Sequence, residues 1–315
     1  MADEAARPPD VRQTLSMSLD TVTLLIHPAP AEETRAHPSE WADSFESVSR
    51  DEPVLRVGEL STQRGDGIFE TIGLVNGHAQ ELGPHLERLC NSAVLCDLDL
   101  PNVEQWRAAI GLAVRQMPSQ GEYSIRLVVS RGVEHGPAPT AWLVAQPTPD
   151  HSKLRHSGAK VVCLDRGYDR GAAERAPWLL LGAKTLSYAV NMAAIREARR
   201  RGANDALFVS SDGYLLEGPT SSLIVRRNGV YASPKPSGSI LHGTTQLSLF
   251  QELERRGERT EYRDIAADEL SEIDAAWLVS SVRLAVGITA IDEHPVTFDP
   301  DTTASFNSYL LSPRD

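Results

Sequence analysis

Lys184 is the side chain of this sequence that raises the clearest chemical question. The chain has 31 basic residues, and all but four of them are arginine. Lys184 follows an apolar run at 178–181, and no acidic residue stands directly beside it. Apolar surroundings disfavour the charged ammonium and lower its pKa, and the neutral amine is the form that makes a Schiff base with a carbonyl. The alternative is a lysine whose long side chain reaches solvent from the start of a helix.

The lysine belongs to a series of short motifs whose order along the chain is informative. GDGIFET at 65–71 and HLERL at 85–89 precede it, and the lysine itself lies in AKTLSY at 183–188. DGYLLEGPTSS at 212–222 and LHGTT at 241–245 follow it. Each motif alone is weak evidence, because glycine-containing turns and polar helix starts are common in unrelated proteins. Their joint occurrence in this order is a strong signal.

This set of motifs resembles the class IV aminotransferase family, the pyridoxal 5'-phosphate (PLP) enzymes of fold type IV. The resemblance covers most of the chain, from residue 54 to residue 291. The stretch 184–191 is most similar to actinobacterial proteins labelled aminodeoxychorismate lyases. Branched-chain aminotransferases and D-amino acid aminotransferases belong to the same family.

The resemblance implies a mixed α/β fold in two parts, a smaller N-terminal α/β domain and a larger PLP-binding domain with a β pseudo-barrel. We place the small domain at 19–150, an interdomain linker at 151–158 and the large domain at 159–315. Residues 1–18 are predicted to be a disordered tail. Members of this family are homodimers with sites near the subunit interface, so a homodimer is expected here.

PLP requires from a protein an amine for its aldehyde, an acid for its pyridine nitrogen and donors for its phosphate. By the resemblance, Lys184 supplies the amine and Glu217 the acid, which keeps the ring nitrogen protonated so that the ring can accept electrons. The other residues that the family pattern places around the cofactor are Arg88, Tyr188, Ser221, Ser222, Gly243, Thr244, Thr245 and Ser281.

Ordinary structural roles remain open for several of these residues. Glu217 could be a hairpin acid, Arg88 a solvated helix arginine and Tyr188 a core residue. Thr244 and Thr245 could simply cap a helix. The start of that helix would also present unpaired N–H groups to a phosphate, so the two roles are compatible.

The sequence departs from the family pattern at three positions near the expected phosphate. Thr244 stands where isoleucine is usual, Gln246 where arginine is usual, and Ser222 where asparagine is common. These changes leave the backbone donors of the helix start intact. They weaken any transfer of side-chain roles from the family to this chain.

The reaction depends on how the substrate is recognised. A D-amino acid aminotransferase would carry a tyrosine where Phe69 stands and an Arg-x-His pair in the loop that here reads RGVEH at 131–135. Neither feature is present, and no convincing branched-chain loop pattern is found. Thr71 matches a threonine common in the lyases, and SSVR at 280–283 is similar to their Asn-Ser-Leu-Arg.

These features favour 4-amino-4-deoxychorismate lyase, which releases 4-aminobenzoate and pyruvate, with Lys184 and Thr71 as catalytic groups. Phe69, Arg126 and Arg283 are expected to contact the substrate, since arginines pair well with the carboxylates of a dicarboxylate. An aminotransferase of branched-chain or D-amino acid type is the first alternative. A PLP-binding homologue with little activity is the second.

Hydrophobic spacing predicts the elements that must position these residues. Strands are expected at 21–26, 54–57, 68–75, 123–130, 140–146, 160–164, 206–210, 214–216, 222–225, 261–263, 276–280 and 285–288. Helices are expected to begin near Pro84, to span 103–117, to follow Lys184 and to begin at Thr244 or Thr245. The segment 27–49 is rich in proline, alanine and acidic residues and is predicted to be a long loop.

Composition narrows the class of protein. The net charge of −12 leaves no basic stripe for nucleic acid. Three cysteines without a Cys-x-x-Cys pair indicate a reducing compartment and neither a disulfide framework nor a zinc ribbon. The sequence shows no signal-peptide pattern and no apolar run near the roughly 20 residues of a membrane span. We therefore expect a cytoplasmic enzyme with a small amino substrate, without membrane or metal partners.

Overall fold

The computed structural model describes residues 21–236 and 238–315, which form two β-sheets flanked by helices. The tail predicted at 1–18 lies outside the described residues. None of the helices in the described part of the chain is long and apolar enough to cross a membrane.

The first sheet has six strands and is antiparallel throughout. Its strands in chain order are β1 (Val22–Ile26), β2 (Phe45–Val48), β3 (Gly67–Val75), β4 (His78–Ala79), β5 (Glu122–Ser130) and β6 (Thr140–Pro147). In space their order is β2-β1-β6-β5-β3-β4. The helices of this half are α1 (Leu60–Gln63), α2 (Leu82–Leu95) and α3 (Val103–Gln116).

Helices α2 and α3 cover the core side of this sheet. Leu86 and Leu89 on α2, and Trp106 and Ile110 on α3, recur at helical spacing and are buried in one cluster with the strand residues. Burying one such side chain stabilises the fold by about 1.5–3 kcal/mol. This packing fixes α2 against β3, and both elements carry residues of the candidate site.

The second sheet has eight strands and is mixed. Its strands are β7 (Ala159–Asp165), β8 (Asp205–Val209), β9 (Ser222–Arg227), β10 (Val230–Pro234), β11 (Arg259–Arg263), β12 (Ala275–Ser280), β13 (Leu284–Ile291) and β14 (His294–Pro295). Their order is β11-β10-β9-β12-β13-β7-β8, and β14 pairs with β13. The helices of this half are α4 (Ser152–Ser157), α5 (Ala172–Arg175), α6 (Ala189–Arg200), α7 (Thr244–Arg255) and α8 (Pro300–Leu310).

The segment 213–217 closes this sheet into a pseudo-barrel. On one side, the N–H of Phe208 on β8 donates to the carbonyl of Glu217 at 2.9 Å. On the other, the N–H of Leu215 donates at 2.8 Å to the carbonyl of Ile265, just after β11. The interior is filled by aliphatic side chains such as Val161, Leu207, Leu223, Val225, Leu278 and Ile288. The expected fold class is confirmed, and the strand predicted at 214–216 is this closing segment.

Two local predictions were wrong. No strand forms at 54–57, where Val57 is 90% exposed, because the short apolar run has no strand beside it to bury a face. The loop predicted at 27–49 contains a 3-10 helix, Pro38–Ser44, and strand β2, anchored by the buried Trp41.

Helix α4 occupies the predicted linker, and its Arg155 joins the two halves. Nη1 and Nη2 of Arg155 donate to the two carboxylate oxygens of Glu122 on β5, at 2.9 and 2.6 Å. Nε donates to the carbonyl of Arg283 at 3.0 Å, and Nη2 also donates to that of Val282 at 3.1 Å. Arg155 is therefore bound to the first sheet by a bidentate ion pair and to the turn between β12 and β13 by hydrogen bonds to two carbonyls.

Candidate active site

A cleft of about 660 Å³ opens between the two sheets, within the size range of small-molecule sites. Every residue that the sequence analysis assigns to cofactor, substrate or catalysis lines this cleft. The structure therefore brings together side chains that are more than 200 positions apart in sequence, such as Phe69 and Arg283. It also adds Arg166 and Asn191 to the lining, which the sequence analysis did not identify.

Backbone pairing with β3 positions Lys184. The N–H of Phe69 donates to the carbonyl of Lys184 at 2.9 Å, and the N–H of Leu186 donates to the carbonyl of Gly67 at 2.8 Å. A Cβ atom at Gly67 would lie 2.6 Å from the carbonyl oxygen of Val129, so only glycine permits this close approach. The lysine thus lies on an extended segment, and the helix after it begins only at Ala189. Tyr188 is the residue directly before that helix.

The amine of Lys184 lies above an aromatic ring. Its Nζ is 4.6 Å from the ring centroid of Phe69, and the ring of Tyr188 packs edge-on against Phe69 at 5.3 Å. Burial lowers the pKa of Lys184 to about 8, and the positive charge of Arg88 acts in the same direction. The carboxylates of Glu70 and Glu217 oppose this effect without cancelling it. A substantial fraction of the amine is therefore neutral near physiological pH.

Glu217 faces the same cleft from the segment that closes the barrel. Burial raises the pKa of Glu217 to about 7, although the N–H of Leu241 and the charge of Lys184 act in the opposite direction. Its Oε1 accepts one long hydrogen bond, 3.3 Å, from that N–H of Leu241. The carboxylate therefore has the capacity to accept a further hydrogen bond from the cleft.

The turn after Glu217 explains the neighbouring glycine. The N–H of Gly218 donates to the carbonyl of Ser221 at 2.8 Å, and a Cβ atom at Gly218 would lie 2.5 Å from the Ser221 hydroxyl. The glycine therefore permits a tight turn. The hydroxyl of Tyr188 and the amide of Asn191 both donate to the carbonyl of Pro219 in this turn, at 2.8 and 2.7 Å.

Helix α7 begins at the cleft with three hydroxyl groups around it. Gly243 is the residue before the helix, so the side chains of Thr244 and Thr245 are not used as caps. The Thr245 hydroxyl lies 3.3 Å from that of Ser281, and the Thr244 hydroxyl lies 3.2 Å from a ring nitrogen of His85. First-turn N–H groups have no partner inside their own helix, so this end of the cleft is suited to an anion.

Arg88 belongs to a buried cluster that the sequence analysis missed. Its Nε and Nη2 donate to the two carboxylate oxygens of Glu70 at 2.7 and 2.8 Å, and its Nη1 donates to the carbonyl of His242 at 3.0 Å. Arg88, expected to contact the cofactor, thus directs its guanidinium at Glu70. Nδ1 of His85 lies 2.8 Å from the same carboxylate. Burial would raise the pKa of Glu70, but the charge and hydrogen bonds of Arg88 outweigh it and hold that pKa far below its usual range.

The expected substrate residues share one wall of the cleft. Thr71 on β3 lies directly opposite Arg126 on β5, and Phe69 is two residues before Thr71 on the same face of the strand. The guanidinium carbon of Arg126 is 4.4 Å from the Phe69 ring centroid. Burial lowers the pKa of Arg126.

Arg283 lines the cleft, but its charge is already engaged. Nη1 donates to Oδ2 of the buried Asp205 at 2.5 Å, and Nη2 donates to the hydroxyl of Ser221 at 3.1 Å. Arg283 therefore supports the turn after Glu217 and is less available to a substrate carboxylate than Arg126.

Comparison with known proteins settles the family. Residues 67–291 match the sequence model of the family described as amino-transferase class IV. The chain belongs to this family. It is 40% identical over 250 residues to the bifunctional aminodeoxychorismate lyase / D-amino acid transaminase of Mycobacterium tuberculosis, which covers 76% of this chain and 86% of that protein.

Solved structures agree with this assignment. The fold IV-transaminase CpuTA1 from Curtobacterium pusillum has a TM-score of 0.86 and 45% identity, over 93% of this chain and 99% of that one. A hypothetical aminotransferase from Mycobacterium tuberculosis in a PLP-bound form has a TM-score of 0.82 and 35% identity, over 92% and 97% of the two chains. The expected family, fold and cofactor are confirmed, and the chain is a PLP-dependent lyase or transaminase.

The residues of the cleft fit this cofactor. Lys184 offers an amine of lowered pKa, and Glu217 offers a carboxylate able to accept from a protonated ring nitrogen. The start of α7, with the hydroxyls of Thr244, Thr245 and Ser281, offers donors to a phosphate. The three requirements of PLP are thus met within one cleft.

Proposed function

We propose that this enzyme is a 4-amino-4-deoxychorismate lyase that forms 4-aminobenzoate and pyruvate. The observation that carries the proposal is the wall formed by Phe69, Thr71 and Arg126 beside the amine of Lys184. Arg126 gives a carboxylate-bearing substrate a cationic partner at this wall, and Thr71 places a hydroxyl next to it. In our assignment, Lys184 provides the amine that binds the cofactor aldehyde, and Glu217 provides the acid that faces its pyridine nitrogen.

PLP supplies an electron sink that stabilises negative charge on the carbon bearing the substrate nitrogen. As a free amine, Lys184 would act as a base and remove the proton from that ring carbon. An ionised Glu217 would keep the ring nitrogen of the cofactor protonated. Cleavage of the bond between the ring carbon and the ether oxygen would then release enolpyruvate together with that oxygen and make the product ring aromatic. Thr71 or Lys184 would return a proton to the methylene carbon of enolpyruvate, which gives pyruvate.

Amino transfer is the second candidate, and the names of the relatives favour it. The mycobacterial relative is named for both reactions, and the Curtobacterium relative is a transaminase. The loop 131–135 argues against the D-amino acid type. Arg131 donates to Asp66 at 2.8 Å and to the carbonyls of Cys96 and Asp97, so its guanidinium is already hydrogen-bonded to neighbouring groups of the protein.

A side-by-side assay separates the reactions. Purified enzyme is given aminodeoxychorismate, and 4-aminobenzoate and pyruvate are followed without any keto acid. In parallel it is given D-alanine or L-branched-chain amino acids with 2-oxoglutarate. Release of both products without an acceptor supports the lyase. Transfer that needs a keto acid, with no 4-aminobenzoate, contradicts it, and bound cofactor without turnover on any substrate would indicate a homologue of little activity.

Arg126→Met tests the substrate wall. A hydrogen bond to a charged group contributes about 1.5–3 kcal/mol, so kcat/KM for aminodeoxychorismate should fall by about 10- to 100-fold, while PLP binding is retained. Arg115→Met, on the exposed end of α3, is the matched control. Equal kcat/KM in both variants would remove Arg126 from substrate binding.

We further propose that the enzyme is a homodimer. Several large apolar side chains are exposed near the cleft, and such patches mark interaction surfaces: Trp178, Leu179, Val190 and Met192. Light scattering should give twice the chain mass of 34.4 kDa, and Trp178→Glu should shift the protein towards the monomer. A wild-type monomer with full activity would contradict this assembly.

A further inference from the structure

His85 is a buried side chain with both ring nitrogens engaged, and the mechanism above does not use it. It lies on α2 with no exposed surface. Nδ1 is 2.8 Å from the Glu70 carboxylate. Nε2 is 3.2 Å from the Thr244 hydroxyl and 3.1 Å from the Ser281 hydroxyl. The ring therefore connects a buried acid to two of the hydroxyls that line the anion end of the cleft.

The direction of these hydrogen bonds follows from the chemistry of Glu70. Its carboxylate is ionised, since Arg88 is bound to both of its oxygens, and an ionised carboxylate only accepts. Nδ1 of His85 must therefore carry the proton that it shares with Glu70. In the neutral imidazole, Nε2 then presents a single lone pair to the two hydroxyls, and only one of them can donate to it at a time.

This arrangement couples the hydroxyls to each other. When one hydroxyl donates to Nε2, the other keeps its proton for a partner in the cleft. The Thr245 hydroxyl extends the chain, because it lies 3.3 Å from that of Ser281. The contact also spans the two halves of the molecule, since His85 and Glu70 belong to the first half and Thr244 and Ser281 to the second.

We propose that His85 is a positioning residue of the phosphate subsite: Nε2 accepts from one of the hydroxyls of Thr244 and Ser281, fixes that side chain, and leaves the proton of the other hydroxyl for the cofactor phosphate. Glu70 fixes the ring of His85 and at the same time holds Arg88, so one buried acid sets the geometry of this subsite from the N-terminal side. The inference rests on our placement of the phosphate at the start of α7. It does not depend on which reaction the enzyme performs.

The test compares the affinity of the apoenzyme for PLP and for pyridoxal, which lacks the phosphate. Binding is followed by visible absorbance of the lysine-bound aldehyde and needs no turnover. Two variants dissect the ring. His85→Asn keeps an amide near Nδ1, so the contact with Glu70 survives while the contact with the hydroxyls is lost. His85→Gln places an amide near Nε2, so the hydroxyls keep a partner.

We expect His85→Asn to weaken PLP binding by about 10- to 100-fold, the worth of a hydrogen bond to a charged group, with unchanged pyridoxal affinity. His85→Gln should restore part of the loss. Ser281→Ala should also weaken PLP, and adding it to His85→Asn should cost less than the product of the two single effects, because His85 acts through that hydroxyl. His156→Asn, at an exposed histidine of α4, is the control.

Three results would overturn the inference. Equal losses for PLP and pyridoxal would show that His85 merely supports the fold, and thermal unfolding of each variant identifies that case independently. Independent, multiplying effects of His85→Asn and Ser281→Ala would show that the ring does not act through the hydroxyl. A wild-type enzyme that binds PLP no better than pyridoxal would instead refute the placement of the phosphate, leaving the side-by-side reaction assay unaffected.

Discussion

Two acids near the cleft, one on the core face of β3 and one in the cleft lining, have opposite electrostatic surroundings. Glu70, on the first sheet, is enclosed by Arg88 and His85, and its pKa is held far below the usual range. Glu217, on the barrel, accepts one long bond from a backbone N–H, and its pKa is raised to about 7. The first acid has its partners inside the protein. The carboxylate of the second acid can accept a further hydrogen bond from a ligand in the cleft.

The difference shows where this fold keeps charge uncompensated. A satisfied buried acid stabilises a geometry, whereas an under-satisfied acid and a lysine of lowered pKa in one cleft are typical of a site built for a ligand. Glu70 therefore belongs to the framework of the site. In our proposal, Glu217 and Lys184 are its reactive pair.

The largest effect is expected at the lysine. Lys184→Met should reduce turnover by about 10³-fold or more and abolish the visible absorbance of lysine-bound cofactor, because it removes both the covalent anchor and the base. Lys153→Met, an exposed lysine on α4, is the control and should leave both unchanged. Retained absorbance in Lys184→Met would mean that another group holds the cofactor.

The two acids should respond differently to the same substitution. Glu70→Gln leaves the charge of Arg88 poorly compensated and should lower the free energy of unfolding by about 3–5 kcal/mol. Glu217→Gln should leave stability equal or higher at neutral pH while turnover falls by about 10²-fold. Urea unfolding and steady-state rates, measured on both variants, check this contrast. If the roles are exchanged, so that Glu217→Gln unfolds and Glu70→Gln only loses rate, our distinction between them is wrong.

The smallest effect concerns the apoenzyme and pH. Because the pKa of Glu217 is higher in the folded state, this group stabilises the fold at pH values below 4.5, its ordinary pKa. This contribution is lost as the pH rises to about 7. The lowered pKa of Lys184 acts in the opposite sense. Its contribution to stability is present at pH values above 10.5, the ordinary pKa of lysine, and is lost as the pH falls to about 8. Relative to variants without these groups, the apoenzyme should thus be least stable between about pH 7 and 8.

Each contribution amounts to at most about 3.5 kcal/mol, at ~1.4 kcal/mol per pKa unit, and exposure to the cleft reduces it. Urea unfolding of the apoenzyme across pH 4 to 11 measures the effect. Glu217→Gln should abolish the decrease in the free energy of unfolding as pH rises on the acid side. Lys184→Met should abolish the increase in that free energy on the alkaline side. Identical pH profiles for wild type and both variants would show that the cleft does not shift these pKa values.

The order of motifs was enough to predict the fold and the members of the cleft. Lys184, Glu217 and Thr244 come from separate motifs, and all of them line one cavity. The sequence could not show which of these side chains are bound to other side chains within the protein. Arg88 and Arg283 were both expected to face ligands, but Glu70 and Asp205 hold them, because long-range ion pairs leave no local pattern.

One signal of the missed cluster was present in the sequence. Ile68, Ile72 and Leu74 alternate along β3 and are buried, and Glu70 stands in the same register. An acid on a core face requires a cationic partner, and the HLERL motif on the next helix contains both His85 and Arg88. The helix α8 was missed for a different reason, since its buried Phe306 and Leu310 are separated by polar residues and give a weak amphipathic pattern.

Arg155 has a consequence for recombining this protein with its relatives. A crossover near residue 150 looks suitable, because it falls between the two sheets. It would nevertheless separate Arg155 and the 282–283 turn, inherited from one parent, from Glu122, inherited from the other. A chimera whose N-terminal parent lacks an acid at that position would leave a guanidinium without its carboxylate at the joint, so parents should be chosen by this pair before overall identity is considered.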